Sequence, residues 1–198
     1  PPATWVVFGD DGLMPYSQWG DVPDTYHVTL DDLDAMCKLA VPIVQKQLET
    51  VHYDSFTNFI NFCDGFKASG ERSLEKFIKG FIPRMDEQCN NCVGLAQGLI
   101  DQLRASLPHL APYLFMASCA EAVASMDYDD MDSIPKKEKK KEHVAIALRI
   151  NVDGRFGVVL FDTGYHIGRA VIVMEDGEYP HTGWFVQSNA RNNKKEYS

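Results

Sequence analysis

Apolar residues recur at spacings of three and four over much of residues 31–126, whereas they alternate with polar residues over much of residues 143–188. The first pattern is typical of helices that bury one face, and the second is typical of strands that bury one face. The order of the two patterns predicts a single α+β domain over residues 1–198, with a helical N-terminal part packed on a C-terminal antiparallel sheet and a cleft between them. Residues 1–30 predict an irregular arm, and residues 189–198 predict a polar tail.

Proline, glycine and capping residues divide the helical part into five predicted helices. Asp31 or Asp32 is expected to cap the first helix, and Pro42 is expected to bend or split it. Ser73 is expected to cap a short helix that Pro83 ends. The other three helices are expected at residues 52–64, 92–107 and 113–126.

The helix that begins near Asn91 has the clearest apolar stripe in the chain. The stripe consists of residues three or four apart: Cys92, Leu95, Ala96, Leu99, Leu103 and Leu107. Because Asn90 or Asn91 can cap this helix, Cys92 is expected in its first turn. Backbone N–H groups and the helix dipole stabilise a thiolate there, so the sequence favours an activated thiol at Cys92.

The dipeptide Asp153-Gly154 is the strongest hairpin signal in the sequence. A two-residue turn at this point pairs Val152 with Arg155. Continuing the same register along both strands brings His143 and Asp162 to one face of the sheet, one diagonal step apart. The carboxylate is then within reach of the imidazole.

The face of the predicted sheet that carries His143 also carries Ala145 and Ala147. Their side chains are small, so they are expected to let the helix of Cys92 approach closely. This packing would bring the thiol to the imidazole.

Cys92, His143 and Asp162, called the trio below, follow the order in which one large group of thiol enzymes supplies its nucleophile, base and orienting carboxylate. In such a trio the thiolate attacks a carbonyl, the imidazole exchanges the proton, and the carboxylate fixes the imidazole tautomer. Backbone N–H groups at the helix start bind the developing oxyanion. The trio therefore predicts acyl transfer through a covalent thioester.

The surroundings of the trio resemble the transglutaminase-like and arylamine N-acetyltransferase-like branch of the papain-like superfamily, over residues 86–186. The likeness lies in a Cys at a helix start, a His that opens the strand at 143–150, and a second strand, 158–164, that ends in Asp, Thr and Gly. The resemblance implies a papain-like core. It also implies that the trio serves as nucleophile, base and orienting acid, in that order.

Further residues are candidates for the oxyanion hole or the substrate pocket: Gln88, Asn91, His166 and Trp184. Gln88 resembles the upstream Gln of some thiol proteases, whereas Asn91 is equally suited to cap the helix. His166 and His181 are alternative bases. Trp184 can flank a substrate groove, although core packing is the better interpretation for an aromatic residue in a strand.

Cys89 and Cys92 also have the CxxC spacing of a redox pair or of half a zinc site. No second CxxC or paired His lies at a suitable spacing, so no metal and no cofactor is expected. The five cysteines are an odd and sparse set, and the chain has no Asn-x-Ser/Thr acceptor. These features favour an intracellular, cytoplasmic location.

The chain carries 19 Lys and Arg against 28 Asp and Glu, a formal net charge of −9. This balance argues against a nucleic-acid partner, and no segment reaches the ~18 apolar residues of a membrane span. The charge runs at residues 127–142 predict a solvated loop, which is either a simple connector or a lid or docking site for a protein partner. Because the chain starts with Pro1 instead of Met, it is expected to be processed or part of a larger chain.

These features favour a thiol-dependent hydrolase or acyltransferase that acts on a protein or peptide substrate, such as a cysteine protease, an isopeptidase or a transglutaminase-like enzyme. An N-acetyltransferase-like enzyme that uses acetyl-coenzyme A is a second hypothesis. A catalytically inactive domain of the same fold, which binds proteins through residues 127–142, is the third.

Overall fold

The computed structural model describes residues 24–82, 88–122, 140–190 and 193–197. This part of the chain is a mixed α/β structure with four α-helices and a mixed five-stranded sheet. The helices are α1 (Leu30–Thr50), α2 (Phe56–Ser69), α3 (Leu74–Gly80) and α4 (Cys92–Ser106). The strands are β1 (Tyr26–Val28), β2 (His52–Tyr53), β3 (Cys89–Asn90), β4 (Leu114–Ala122), β5 (Lys140–Val152), β6 (Arg155–Phe161), β7 (Val171–Met174), β8 (Phe185–Ala190) and β9 (Asn193–Tyr197). None of the described helices has the length and apolar character that crossing a membrane requires.

Strand β5 is the centre of the sheet. Strand β6 pairs with one side of it, and β7 pairs with β6, both antiparallel. On its other side, β5 pairs antiparallel with β4 and, near its end, parallel with β1. The expectation of a wholly antiparallel sheet is therefore wrong at β1, which lies in the predicted irregular arm. Residues 1–23 of that arm lie outside the described residues.

The β5–β6 hairpin has the predicted turn and register. Asp153 and Gly154 have φ values of 52° and 89°, as a two-residue turn with both central residues in the left-handed region requires. Val152 pairs with Arg155, and the same register continues to Ile146 opposite Phe161. The register that relates His143 to Asp162 is thus confirmed over the paired part of the two strands.

The helix predicted at residues 113–126 is wrong, because most of this segment is strand β4. It pairs with β5 from Leu114 opposite Leu148 to Ala122 opposite Lys140. The strand contains Leu, Met, Ala and Glu and no β-branched residue, so its local propensity favours a helix. Pairing with the central strand overrides this weak preference, since strand stability depends chiefly on packing against neighbours. The helical subdomain predicted for 31–126 therefore ends before β4.

Two other predicted boundaries move. Lys140, Lys141 and Glu142 belong to β5 instead of the charged loop, and residues 127–139 of that loop lie outside the described residues. Part of the predicted polar tail is ordered as well, because β9 pairs antiparallel with β8 in a C-terminal hairpin. The prediction missed β9 because this strand consists mainly of polar residues, which show no apolar alternation.

Helix α1 begins at Leu30 and its cap is Thr29, so the prediction that Asp31 or Asp32 caps this helix is wrong. The Thr29 hydroxyl accepts the N–H of Asp32 at 3.2 Å and donates to the Asp32 carboxylate at 2.7 Å. Asp32, in the first turn of the helix, thus holds the capping hydroxyl of Thr29 through both its backbone N–H and its carboxylate. Pro42 lies within the helix, which continues to Thr50, so the predicted split at Pro42 is wrong.

Helices α2 and α3 bury none of their residues fully. The helix predicted at 52–64 starts later and runs further, because His52 and Tyr53 form β2 and Gly70 ends α2 with a φ of 68°. Ser73 caps α3 as predicted, accepting the N–H of Lys76 at 3.3 Å. Four phenylalanines form a local cluster between the two helices: Phe62, Phe66, Phe77 and Phe81.

The core joins α1 and α4 to the sheet. From Ala96 onward, the apolar stripe of α4 shares one buried cluster with Ile146, Leu148 and Ile150 of β5. These residues alternate with Ala145 and Ala147, so α4 packs on the face opposite to the one expected from the two alanines. Gln47 of α1 links the two helices, because its buried amide nitrogen donates to the Leu95 carbonyl at 3.0 Å.

Leu99 of α4 is fully buried in this cluster. Leu99→Ala is expected to lower the free energy of unfolding by about 2–5 kcal/mol, because it removes apolar contacts and leaves a cavity. Urea unfolding followed by circular dichroism measures the change. Leu39→Ala on α1 is the matched control, since Leu39 is 59% exposed and its loss is expected to cost under about 0.5 kcal/mol. Equal effects of the two substitutions would contradict this description of the core.

Candidate active site

The thiol of Cys92 lies at the N-terminus of α4. Asn91 caps this helix, and its side-chain oxygen accepts the N–H of Gly94 at 3.1 Å. The backbone N–H groups of Val93 in the first turn and of Val144 in β5 lie close enough to the Cys92 sulfur to lower the pKa of the thiol. Helix and strand together therefore surround the sulfur with donors that favour a thiolate.

The imidazole of His143 bridges the thiol and a buried carboxylate. Its Nε2 lies 2.9 and 3.0 Å from the two oxygens of Asp162, and Cys92 lies on its other side, close enough for the imidazole to lower the pKa of the thiol. Because Nε2 faces the carboxylate, Nδ1 is the nitrogen that faces the thiol. The ring is used in the opposite sense in the serine-protease triad, where Nε2 serves the nucleophile. The neutral ring here carries its proton on Nε2, so Nδ1 is free to accept the thiol proton.

Asp162 is almost completely buried, at 1% exposure, and is held by several donors. Besides His143, its carboxylate accepts the backbone N–H of Tyr165 at 3.0 Å and the hydroxyl of Tyr197 at 2.8 Å. Its own carbonyl accepts the N–H of Ile167 at 2.9 Å. These bonds compensate for the loss of water and fix the direction in which the carboxylate points.

Gly164 lets the three members of the trio pack closely. A Cβ atom at this position would lie 2.6 Å from His143 Cε1, 3.3 Å from Cys92 Cβ and 3.5 Å from Asp162 Oδ1. Real Cβ atoms do not approach other atoms as closely as 2.6 Å. The backbone after Asp162 therefore passes over the imidazole at a distance that only glycine allows.

Aromatic residues border the trio. The ring of Tyr165 lies 4.1 Å from that of His143, centroid to centroid, and 6.2 Å from that of Tyr197. A third aromatic residue comes from the N-terminal part of the chain: Tyr53 of β2 pairs with Asn90 of β3, two residues before Cys92. Burial and then the neighbouring Cys92 raise the pKa of Tyr53.

The thiol and the imidazole shift each other's titration. The hydrogen bond with His143 lowers the pKa of Cys92, burial opposes this, and the N–H groups of Val144 and Val93 add to the lowering. Burial acts to lower the pKa of His143, but hydrogen bonds and charge interactions with Asp162 and Cys92 raise it to about 9. Both directions favour a thiolate–imidazolium pair.

The other predicted pocket residues are Gln88, Asn91, His166 and Trp184. Gln88 is exposed, and its carbonyl accepts the N–H of His52 at 2.7 Å. Asn91 has a capping role. His166 is exposed in the turn after Asp162, with a φ of 59°, and Trp184 is 75% exposed, which contradicts core packing.

The structure also locates Cys89 and His181, the alternative candidates for a redox or zinc site and for a base. Cys89 lies in β3, where it pairs with His52. The Nδ1 of His181 accepts the backbone N–H of Met174 at 3.1 Å, which is a structural bond near β7. Among the described residues, no group of three or more His, Cys, Asp and Glu side chains is placed to hold a metal ion.

A groove of about 410 Å³ lies elsewhere, between α1 and residues 169–182, and the trio does not line it. Cys37 does line it. Burial and then Asp34 raise the pKa of Cys37 to about 11. Cys37 is thus a poor thiolate and a natural internal comparison for Cys92.

Three features of the site were missing from the sequence-based prediction: the Tyr197 hydroxyl, the close approach at Gly164 and the Val144 N–H. Gly164 had a detectable signal, since a glycine two residues after a predicted orienting Asp indicates a tight backbone approach. Tyr197 had none, because it lies in a lysine-rich segment, 35 residues from its partner Asp162.

Comparison of the chain with family models, with curated proteins and with solved structures gives no match in any of the three. The chemistry of the site is therefore inferred from its geometry.

Proposed function

We propose that the protein is a thiol-dependent acyl-transfer enzyme in which Cys92 is the nucleophile, His143 the base and Asp162 the orienting acid. One observation carries the proposal most directly: a thiol at a helix N-terminus lies beside an imidazole whose far nitrogen is held by a buried carboxylate, and the imidazole lowers the pKa of the thiol. The order and spacing of the trio support a papain-like core of the transglutaminase-like or acetyltransferase-like branch. A cytoplasmic setting fits a nucleophile that has to stay reduced.

The acylation step follows from the positions of the atoms. The Cys92 thiolate attacks the carbonyl carbon of an amide, and a carbon–sulfur bond forms while the carbonyl oxygen takes up the negative charge. The imidazolium of His143 then donates its Nδ1 proton to the leaving nitrogen as the carbon–nitrogen bond breaks. An acyl thioester on Cys92 and a free amine result.

Deacylation reverses the roles. Neutral His143 takes a proton from water or from an acceptor amine, which attacks the thioester and restores the thiolate. Asp162 stabilises the imidazolium in both half-reactions and holds the proton on Nε2. Water as acceptor makes the protein a protease or isopeptidase, and an amine makes it a transferase. Its substrate class is a protein or peptide amide.

The pKa shifts predict how Cys92 reacts with iodoacetamide. An ordinary thiol near pKa 9 loses about tenfold in alkylation rate for each pH unit below that value, because only the thiolate reacts. The lowered pKa of Cys92 is expected to keep its alkylation fast at pH 6, well ahead of Cys37. Mass spectrometry of peptides after timed labelling measures both rates in one sample.

The rate of amide acyl transfer is expected to depend on pH in a defined direction. The thiolate–imidazolium pair forms as pH rises through the lowered pKa of Cys92, and it is lost as His143 deprotonates at about pH 9. Amide acyl transfer, which needs the His143 proton for the leaving group, is therefore expected to fall above about pH 9.

Slow labelling of Cys92 by iodoacetamide at pH 6, at a rate equal to that of Cys37, would reject the proposed function.

A further inference from the structure

The C-terminal hairpin of β8 and β9 sits against the acid of the trio. Tyr197, near the end of β9, donates its hydroxyl to Asp162 Oδ2 at 2.8 Å. The carboxylate thus has a donor from a segment far from His143 and Cys92 in sequence.

Other contacts fix this hairpin in place. The Tyr197 ring lies 5.7 Å from the Phe185 ring in β8 and 6.2 Å from the Tyr165 ring beside His143. The guanidinium of Arg169 stacks 4.8 Å above the Phe185 ring, and the amide of Gln187 donates to the Tyr165 carbonyl. The Tyr197 ring therefore lies between the rings of Phe185 and Tyr165, and this packing directs its hydroxyl toward Asp162.

The hydroxyl is chemically distinct from the other donors to Asp162. The Tyr165 N–H belongs to the turn that follows Asp162 and exists wherever that turn forms. The Tyr197 hydroxyl comes from a separate element and competes with His143 for the charge of the same carboxylate. In the part of the chain that the structure describes, the titratable groups near this carboxylate include His143 from β5, Tyr197 from β9 and Tyr165, with Cys92 of α4 beyond the imidazole.

We propose that Tyr197 is a positioning residue of the active site, which acts through the Asp162 carboxylate and limits the charge that this carboxylate offers to His143 Nε2. This inference rests on the proposed function and goes beyond it, because it makes the C-terminal hairpin part of the active site. Tyr197 acts through Asp162 and does not touch the reacting atoms.

The test is the titration of His143 in Tyr197→Phe, followed by NMR of protein with isotope-labelled histidine. The ring contacts survive in this variant and only the donor is lost. The carboxylate then concentrates its charge on the imidazolium, so the His143 titration is expected to move upward from about 9 by about half a pH unit or more. Assignment of the His143 signal comes from its absence in His143→Gln.

Two controls separate positioning from a merely structural role. Tyr113→Phe removes a hydroxyl from the Tyr26–Tyr113 ring pair. Tyr113 directly precedes β4, whereas His143 pairs near the other end of that strand. This substitution is expected to leave the titration of His143 unchanged. In an Asp162→Asn background, Tyr197→Phe is expected to add no upward shift, because its effect passes through the carboxylate.

The outcomes distinguish the two proposals. An unmoved or lowered titration in Tyr197→Phe, with Cys92 of the unsubstituted protein labelled fast at pH 6, overturns the role of Tyr197 alone. The same upward shift in the Asp162→Asn background also overturns it. Slow labelling of Cys92 in the unsubstituted protein, with His143 titrating at its ordinary value, overturns the proposed function and this inference together.

Discussion

Replacing His143 by glutamine is expected to slow acylation of Cys92 at pH 6 by up to about 10³-fold. The hydrogen bond with His143 is the largest of the effects that lower the pKa of Cys92, and burial acts against it. Without the imidazole, the thiol returns toward its ordinary value of 9.0, and a thiol of that pKa is about one part in 10³ ionised at pH 6. Acylation by p-nitrophenyl acetate, followed by the mass gain on the Cys92 peptide, measures the rate.

The shape of the pH dependence makes this prediction specific. In His143→Gln the rate should climb about tenfold per pH unit from pH 6 and approach that of the unsubstituted protein at alkaline pH, since both then react as thiolates. A variant that had merely lost its fold would remain slow at every pH.

His166 provides the matched control, because it is the nearest alternative base in sequence and lies exposed in the turn after Asp162. His166→Asn is the appropriate substitution, since asparagine tolerates the positive φ of 59° at this position. Its acylation rate is expected to stay within about twofold of the unsubstituted protein. A large loss in His166→Asn combined with an unchanged rate in His143→Gln would transfer the role of base to His166.

The sequence predicted best the features that depend on local patterns. The stripe of α4 and the capping ability of Asn91 placed Cys92 at a helix start, and the Asp153-Gly154 turn set the register that joins His143 to Asp162. Both signals need only short stretches of chain. The meeting of thiol and imidazole was predicted as well, but by the wrong packing, because α4 covers the face of Ile146 instead of that of Ala145.

The features that escaped prediction depend on partners distant in sequence or on weak local signals. Strand β4 has helix-forming residues and becomes a strand because β5 pairs with it across the segment 123–139. Tyr197 lies among polar residues whose pattern shows no buried face, so its contact with Asp162 has no periodic signal. Strand β4 pairs with the strand that carries His143, and Tyr197 binds Asp162. The sequence therefore indicates the three residues of the trio more readily than the elements that hold them in place.

Gly164→Ala is expected to disable the trio without removing any of its members. The added Cβ would meet His143 Cε1 at 2.6 Å, so the ring must turn or the 163–166 segment must move. The backbone of Gly164 is outside the left-handed region, and steric contact is therefore the cause of the effect. A displacement near 1 Å breaks the line from Asp162 through the imidazole to the thiol, and such misplacements cost about 10²-fold in rate. Acylation of Cys92 at pH 6 measures the loss.

Gly80→Ala is the matched control, because no atom lies within 4 Å of a Cβ placed on Gly80 and its backbone also lies outside the left-handed region. Its acylation rate is expected to equal that of the unsubstituted protein. The loss in Gly164→Ala should come with a lower pKa of His143, since the ring moves away from the carboxylate and thiol that raise it. Full reactivity of Gly164→Ala would mean that the imidazole does not occupy the space between Gly164, Cys92 and Asp162, and catalysis by this trio would then have to be abandoned.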